Sequence, residues 1–121
     1  SKVNVAPAVK KIRTKEGKEI NLTCTVSIPE HYRQFIDRTG STGDTIRIGI
    51  FKAGKWQRDI FTGITLNEAI VQKKISIIIN PALNPGKYFL RFAINHQSYP
   101  PTHNSEKIEL IIDKLRRRKA N

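Results

Sequence analysis

Alternation with a period of two is what most narrows the fold. In Ile20, Leu22, Cys24, Val26 and Ile28 every second residue is apolar, and Asn21, Thr23, Thr25 and Ser27 lie between them. That is the pattern of a strand with one face against a core. It returns in Ile46, Ile48, Ile50, in Val71, Ile75, Ile77, Ile79, in Tyr88, Leu90, Phe92, Ile94 and in Ile108, Leu110, Ile112. A shorter strand is expected at Trp56–Phe61, after the Ala53-Gly54-Lys55 turn. An N-terminal strand, Val3–Val5 then Val9–Arg13, is interrupted by Pro7 and so suits a sheet edge. The one helical candidate is Pro29–Arg38, with Tyr32, Phe35 and Ile36 at helical spacing.

About seven short strands in 121 residues, separated by Gly, Pro, Asn and Asp, predict an all-β fold. Specifically, they predict an antiparallel two-sheet sandwich with Greek-key connections. The length fits one domain, expected over residues 1–113 with a basic tail or linker at 114–121. No apolar run approaches the roughly 18 residues of a membrane span. The chain has no Met, so Ser1 is expected not to be a native start and the chain to be processed or a piece of a longer protein.

Leu83-Asn84-Pro85-Gly86-Lys87-Tyr88 resembles the L-x-P-G-x-Y corner before strand F in fibronectin type III and other immunoglobulin-like sandwiches. The resemblance implies that the Tyr88 hydroxyl bonds back to the corner backbone and that Gly86 supplies the turn. It also puts Cys24 in the middle of strand B, facing in, as the first immunoglobulin cysteine does. The second cysteine of that family is Leu90 here, and the strand C tryptophan is replaced by Ile48 and Ile50. The architecture is therefore immunoglobulin-like without being antibody-type, and Cys24 is expected to be a small core residue. Ile48-Gly49-Ile50-Phe51 with Pro85-Gly86-Lys87-Tyr88 is also similar to the glycan-recognising C-terminal domain of O-antigen ABC-transporter ATPases.

The formal charge is +12, and its distribution is uneven. Residues 1–18 hold six basic groups against Glu16, and residues 114–119 hold five with no acid, so the two ends carry ten of the excess charges. Immunoglobulin strand order gathers the A–B, C–C′ and E–F connections and the C-terminal end at one pole. That pole would collect Lys10, Lys11, Arg13, Lys15, Lys18, Lys52, Lys55 and Lys87 with Lys114, Arg116, Arg117, Arg118 and Lys119. Such a pole attracts polyanions in a salt-dependent way. With almost no aromatic residues among these cations, it does not read bases.

The opposite pole carries the B–C connection, Pro29–Asp44, and the F–G connection, Asn95–Ser105. These hold Tyr32, Arg33, Phe35, His96, Gln97, Tyr99 and His103, residue types that stack on a sugar ring or grip a peptide. Trp56 is expected to be a lid on the core rather than a sugar platform.

Signs of catalysis are missing. Gly40-Ser41-Thr42-Gly43 lacks the Lys-Ser/Thr of a phosphate loop, there is no G-x-S-x-G, and His31, His96 and His103 have no metal-ligand spacing. No cofactor and no metal are expected. A lone cysteine fits the cytoplasm or a bacterial periplasmic or extracellular location, and Asn21-Leu22-Thr23 is a formal glycosylation sequon. The expected function is a non-catalytic module contacting a protein or a neighbouring domain. The alternatives are carbohydrate binding through the B–C and F–G loops and non-specific polyanion binding, to nucleic acid or a membrane surface, through the basic pole.

Overall fold

The computed structural model of the chain describes residues 4–27, 30, 34, 45–65, 68, 74–96, 99–103 and 106–116, and the side chains of 4, 95, 96 and 99–103 lie outside that description. The described residues form nine strands: β1 (Asn4–Pro7), β2 (Lys11–Lys15), β3 (Ile20–Ser27), β4 (Thr45–Lys52), β5 (Lys55–Thr65), β6 (Lys74–Ile79), β7 (Gly86–His96), β8 (Tyr99–His103) and β9 (Ile108–Asp113). One sheet has the order β1-β3-β6. The other has the order β2-β9-β7-β4-β5, with β8 also paired to β7. Every pairing is antiparallel except β2 on β9, which is parallel.

This is the two-sheet sandwich that the alternation predicts, in the immunoglobulin-like arrangement that the resemblance at Leu83–Tyr88 implies. The first strand splits at Pro7, its β1 part joining the small sheet and its β2 part lying parallel to the last strand of the large one. The last strand is likewise divided into β8 and β9, both antiparallel to β7.

The alternating residues face each other across the sandwich. Leu22, Val26, Ile48, Ile50, Ile77, Leu90 and Phe92 are all buried, and Cys24 lies among them with no exposed surface. Burying a large aliphatic or aromatic side chain contributes about 1.5–3 kcal/mol, and this continuous row is the main support of the fold. The tyrosine corner forms as the resemblance implies. Tyr88 is buried, and its hydroxyl donates to the Asn84 carbonyl at 2.9 Å. Gly86 starts β7 at a φ of 151°, a backbone state that side-chain-bearing residues rarely adopt.

Three details depart from the sequence reading. β5 runs on to Thr65 rather than ending at Phe61. β6 begins at Lys74, and the expected start at Val71 lies outside the described residues. The F–G connection is not a long loop from Asn95 to Ser105. β7 continues to His96, and the chain returns as β8, pairing His96 with Tyr99 and Ala93 with His103. Backbone pairing extends the hairpin here, and Pro100 and Pro101 are tolerated because β8 pairs with β7 alone among the described residues. The helical turn expected over Pro29–Arg38 falls outside the described residues, Glu30 and Gln34 excepted.

Candidate interaction face

Of the residues expected at the loop pole, Tyr32, Arg33, Phe35 and Gln97 lie outside the described residues. His96, Tyr99 and His103 are located by backbone only, on the hairpin of β7 and β8. Among the basic residues, Arg117, Arg118 and Lys119 also lie outside the description.

The described basic residues divide into two sets. Along β2 and β9 they are engaged with acids. Arg13 grips Asp113 with two hydrogen bonds, Nε at 2.8 Å and Nη2 at 3.0 Å. That hydrogen bond, followed by the charge beside it, holds the Asp113 carboxyl below its ordinary value. Glu109 is reached by Lys87 at 2.8 Å and Lys11 at 3.6 Å, and the Lys87 contact is the main reason its carboxyl is also lowered. Lys10 stands beyond the other end of β2, about 16 Å of strand from Lys15. The second set is at the pole itself. Lys15, Lys18, Lys52, Lys55, Lys114 and Arg116 are exposed and make no ion pair among the described residues. The A–B turn and the departing chain are tied together there, Glu16 N–H donating to the Asp113 carbonyl and Leu115 N–H to Glu16 Oε1, each at 2.9 Å.

A different surface stands out on the outward side of the large sheet. In β4 the inward positions are Ile46, Ile48 and Ile50, so Arg47, Gly49 and Phe51 face out. Register aligns Phe51 with Phe89 on one side and Trp56 on the other, Gly49 with Arg91 and Asp59, and Arg47 with Phe61. Trp56 is not the core lid expected of it. It is 55% exposed, because the register shift between Ile50 and Phe51 turns the start of β5 so that the indole pairs with outward-facing Phe51. Phe61 is 66% exposed.

These side chains hold one another in place. The Arg47 guanidinium lies 4.2 Å from the centre of the Phe61 ring and donates to Asp59 Oδ2 at 3.2 Å. The other oxygen, Asp59 Oδ1, accepts the Trp56 indole N–H at 2.8 Å. Arg91 stacks 4.9 Å from Phe51, while Lys107 and Lys87 approach Phe89 at 4.4 and 5.5 Å. The Nε atoms of Arg47 and Arg91 are buried and meet no hydrogen-bond acceptor among the described residues, so the ring faces are their main company. A cation over an aromatic ring is worth about 0.5–1 kcal/mol when exposed and more when desolvated. The result is a preset patch of Trp, Phe and Arg, the residue types that dominate the energy of protein interfaces.

The sequence reading did not single out this patch. Its signal was present, since Phe51, Phe61 and Phe89 fall out of phase with the inward isoleucines, at positions where a solvated sheet face carries polar residues.

Among the described residues, no three His, Cys, Asp or Glu side chains gather as a metal site, and no helix is long and apolar enough to cross a membrane. No family model matches the sequence, and the comparison with curated proteins finds no relative. Among solved structures the chain is similar to human titin ZIg10, with 13% identity and a TM-score of 0.37 over 99% of this chain and 83% of that one. It is also similar to murine CRIg, with 11% identity and a TM-score of 0.42 over 94% of this chain and 100% of that one. Neither is near enough to bring a function across. By its own strand order, register and tyrosine corner, the chain is an immunoglobulin-like β-sandwich.

Proposed function

We propose that this chain is a non-catalytic interaction module that binds a protein through the outer face of its six-stranded sheet. One observation carries the reading. Phe61, Arg47, Asp59 and Trp56 form a connected patch in which two exposed rings are braced by a shielded ion pair. A monomeric domain has no stability reason to expose both Trp56 and Phe61 on one sheet face, and exposed apolar patches of this kind mark interaction sites. The flanking Arg91, Lys87 and Lys107 favour a partner with an apolar centre and carboxylates around it, because charge complementarity speeds encounter and fixes orientation.

The test places a photo-crosslinking residue at Phe61, and separately at Val9 as a control, in extract of the native source. The expected result is a discrete protein adduct from position 61, absent from position 9 and lost in Trp56→Ala. A neutral-glycan array supplies the competing outcome. Salt-insensitive glycan binding that disappears in Tyr99→Ala would replace this reading with the carbohydrate one.

A second reading is favoured by Lys15, Lys18, Lys52, Lys55, Lys114 and Arg116, which share one pole without ion pairs among the described residues. Polyanion attachment there would show as heparin retention that falls steeply with salt. It would also fall with Lys52→Gln/Lys55→Gln while Trp56→Ala left it unchanged.

A further inference from the structure

The sheet edges of this sandwich are not alike. An edge strand presents unpaired backbone N–H and C=O groups and invites another strand, and proteins blunt such edges with proline, charge, bulges or an inward-pointing charged residue. The β1 edge carries Pro7. The β2 edge carries Lys11, Arg13 and Lys15. The β8 strand carries Pro100 and Pro101. The β5 edge carries two register shifts, Gly63 at a φ of 74°, and Arg58, which pairs with inward-facing Ile50 and donates to the Pro81 carbonyl.

β6 is the exception. Its sequence is Lys-Ile-Ser-Ile-Ile-Ile, and from Ile75 to Leu83 there is no charge. Its proline, Pro81, comes only after the strand has ended. Among the described residues it pairs with β3 alone. Ile75, Ile77 and Ile79 point into the core, and Ile78 points out with 65% of its surface exposed.

We infer that the outer edge of β6 pairs antiparallel with β6 of a second copy of this chain, about a two-fold axis at Ile77. The segment is self-complementary in that register. Ile75 faces Ile79 of the other copy, so the inward isoleucine row runs unbroken from one sandwich into the next. Ser76 faces Ile78 on the outer side, which places the two exposed Ile78 side chains diagonally within reach. Lys74 falls opposite Asn80, so the two lysines sit at opposite ends and no like charges meet. Moving the axis to Ser76 sets Lys74 against Ile78, and moving it to Ile78 brings Pro81 opposite Ile75. Only the axis at Ile77 pairs all of Ile75–Ile79 with itself. Such an isologous contact closes at two copies. It uses the small sheet and leaves the Trp56–Phe61 face free, so it stands apart from the function proposed above.

The experiment is sedimentation of the intact chain across a wide concentration range, beside Ile78→Lys and the pair Ser76→Cys/Ile78→Cys. The expected result is a reversible dimer for the native chain and a monomer for Ile78→Lys with an unchanged thermal melt. Facing residues across antiparallel strands are near enough for a disulfide, so the cysteine pair should cross-link two copies under mild oxidation, the buried Cys24 staying out of the reaction. A chain that remains monomeric at the highest concentration overturns the inference and leaves this edge to a strand of another protein. A dimer undisturbed by Ile78→Lys overturns it too. If Ile78→Lys fails to fold, hydrogen exchange of the native chain decides. Amides of β6 that slow with rising concentration support the pairing, and concentration-independent exchange refutes it.

Discussion

Trp56 donates its indole N–H to Asp59 Oδ1 at 2.8 Å, from three residues away on an edge strand, and so stands upright on the sheet instead of folding over its end. Asp59 can do this because its side chain is almost buried, at 5% exposure, with Arg47 on its other oxygen. The exposed aromatic thus rests on a shielded carboxylate, and the carboxylate on a guanidinium pressed against Phe61.

Asp59→Ala should therefore both destabilise the fold and loosen the patch. It leaves a partly buried guanidinium without its acceptor, which costs on the order of 1–3 kcal/mol. Trp56 is the sole tryptophan, so its fluorescence reports the site directly. Urea melts should give the stability loss, and anisotropy of the folded variant should fall as the indole gains freedom. Unchanged anisotropy would mean that the hydrogen bond does not position the ring.

The Tyr88 hydroxyl is a cleaner test of the corner. Tyr88→Phe keeps the buried ring and removes the donor to the Asn84 carbonyl. The expected loss is about 1 kcal/mol, the net worth of one such bond. A variant as stable as the native chain would show that the turn is held by Gly86 and Pro85 alone.

The β4–β5 hairpin offers a stabilising change. Its two turn residues, Ala53 and Gly54, have φ of 51° and 76°, the two positive values of a type I′ turn. Alanine is a poor fit at the first position and asparagine a good one. Ala53→Asn should raise stability by about 0.5–1 kcal/mol, read as a higher denaturation midpoint at unchanged slope.

Much of this architecture was legible from the chain alone, for a physical reason. A strand with one face in a core must alternate, so Leu22, Ile48, Ile77, Leu90 and Phe92 announce both the strands and their inward side. The corner at Leu83–Tyr88 is legible because a local hydrogen bond needs a local motif. The interaction face is harder to read. Phe51, Phe61 and Phe89 come from three different strands, and their assembly depends on register. That register includes the shift beside Phe51, which turns Trp56 outward and which no local pattern encodes. The F–G hairpin was missed for a related reason. Two consecutive prolines read as a loop until it is known that β8, among the described residues, pairs with β7 alone.

At the acid end, the β2–β9 edge should be the first to weaken. Asp113 is lowered by its hydrogen bond to Arg13, and Glu109 by its hydrogen bond to Lys87. A carboxylate whose folded value is depressed adds stability above its ordinary value, and that stability is lost as pH falls through the folded one. Backbone exchange at β2 should therefore accelerate below pH ~4, and less so in Arg13→Gln, which lacks the charge partner to lose. Since both carboxylates are on the surface, salt should shrink the effect.

At the alkaline end the sensitive group is Cys24. It is fully buried, and desolvation pushes its thiol up from 9.0 to about 11. In the unfolded chain the thiol loses its proton first, so the native state binds more protons between these two values. Stability supplied by the neutral thiol is therefore complete below pH 9 and declines as pH rises toward 11, by about 3 kcal/mol in all. Cys24→Ala removes that dependence while opening a small cavity. Its melting temperature should start lower at pH 7, and the gap to the native chain should narrow between pH 9 and 11. The same burial makes Cys24 inert to a thiol reagent at neutral pH, with modification following global unfolding. Labelling at neutral pH faster than the rate of the unfolded thiol scaled by the unfolded fraction would show that the core around Cys24 opens locally, and the desolvation argument would then fail.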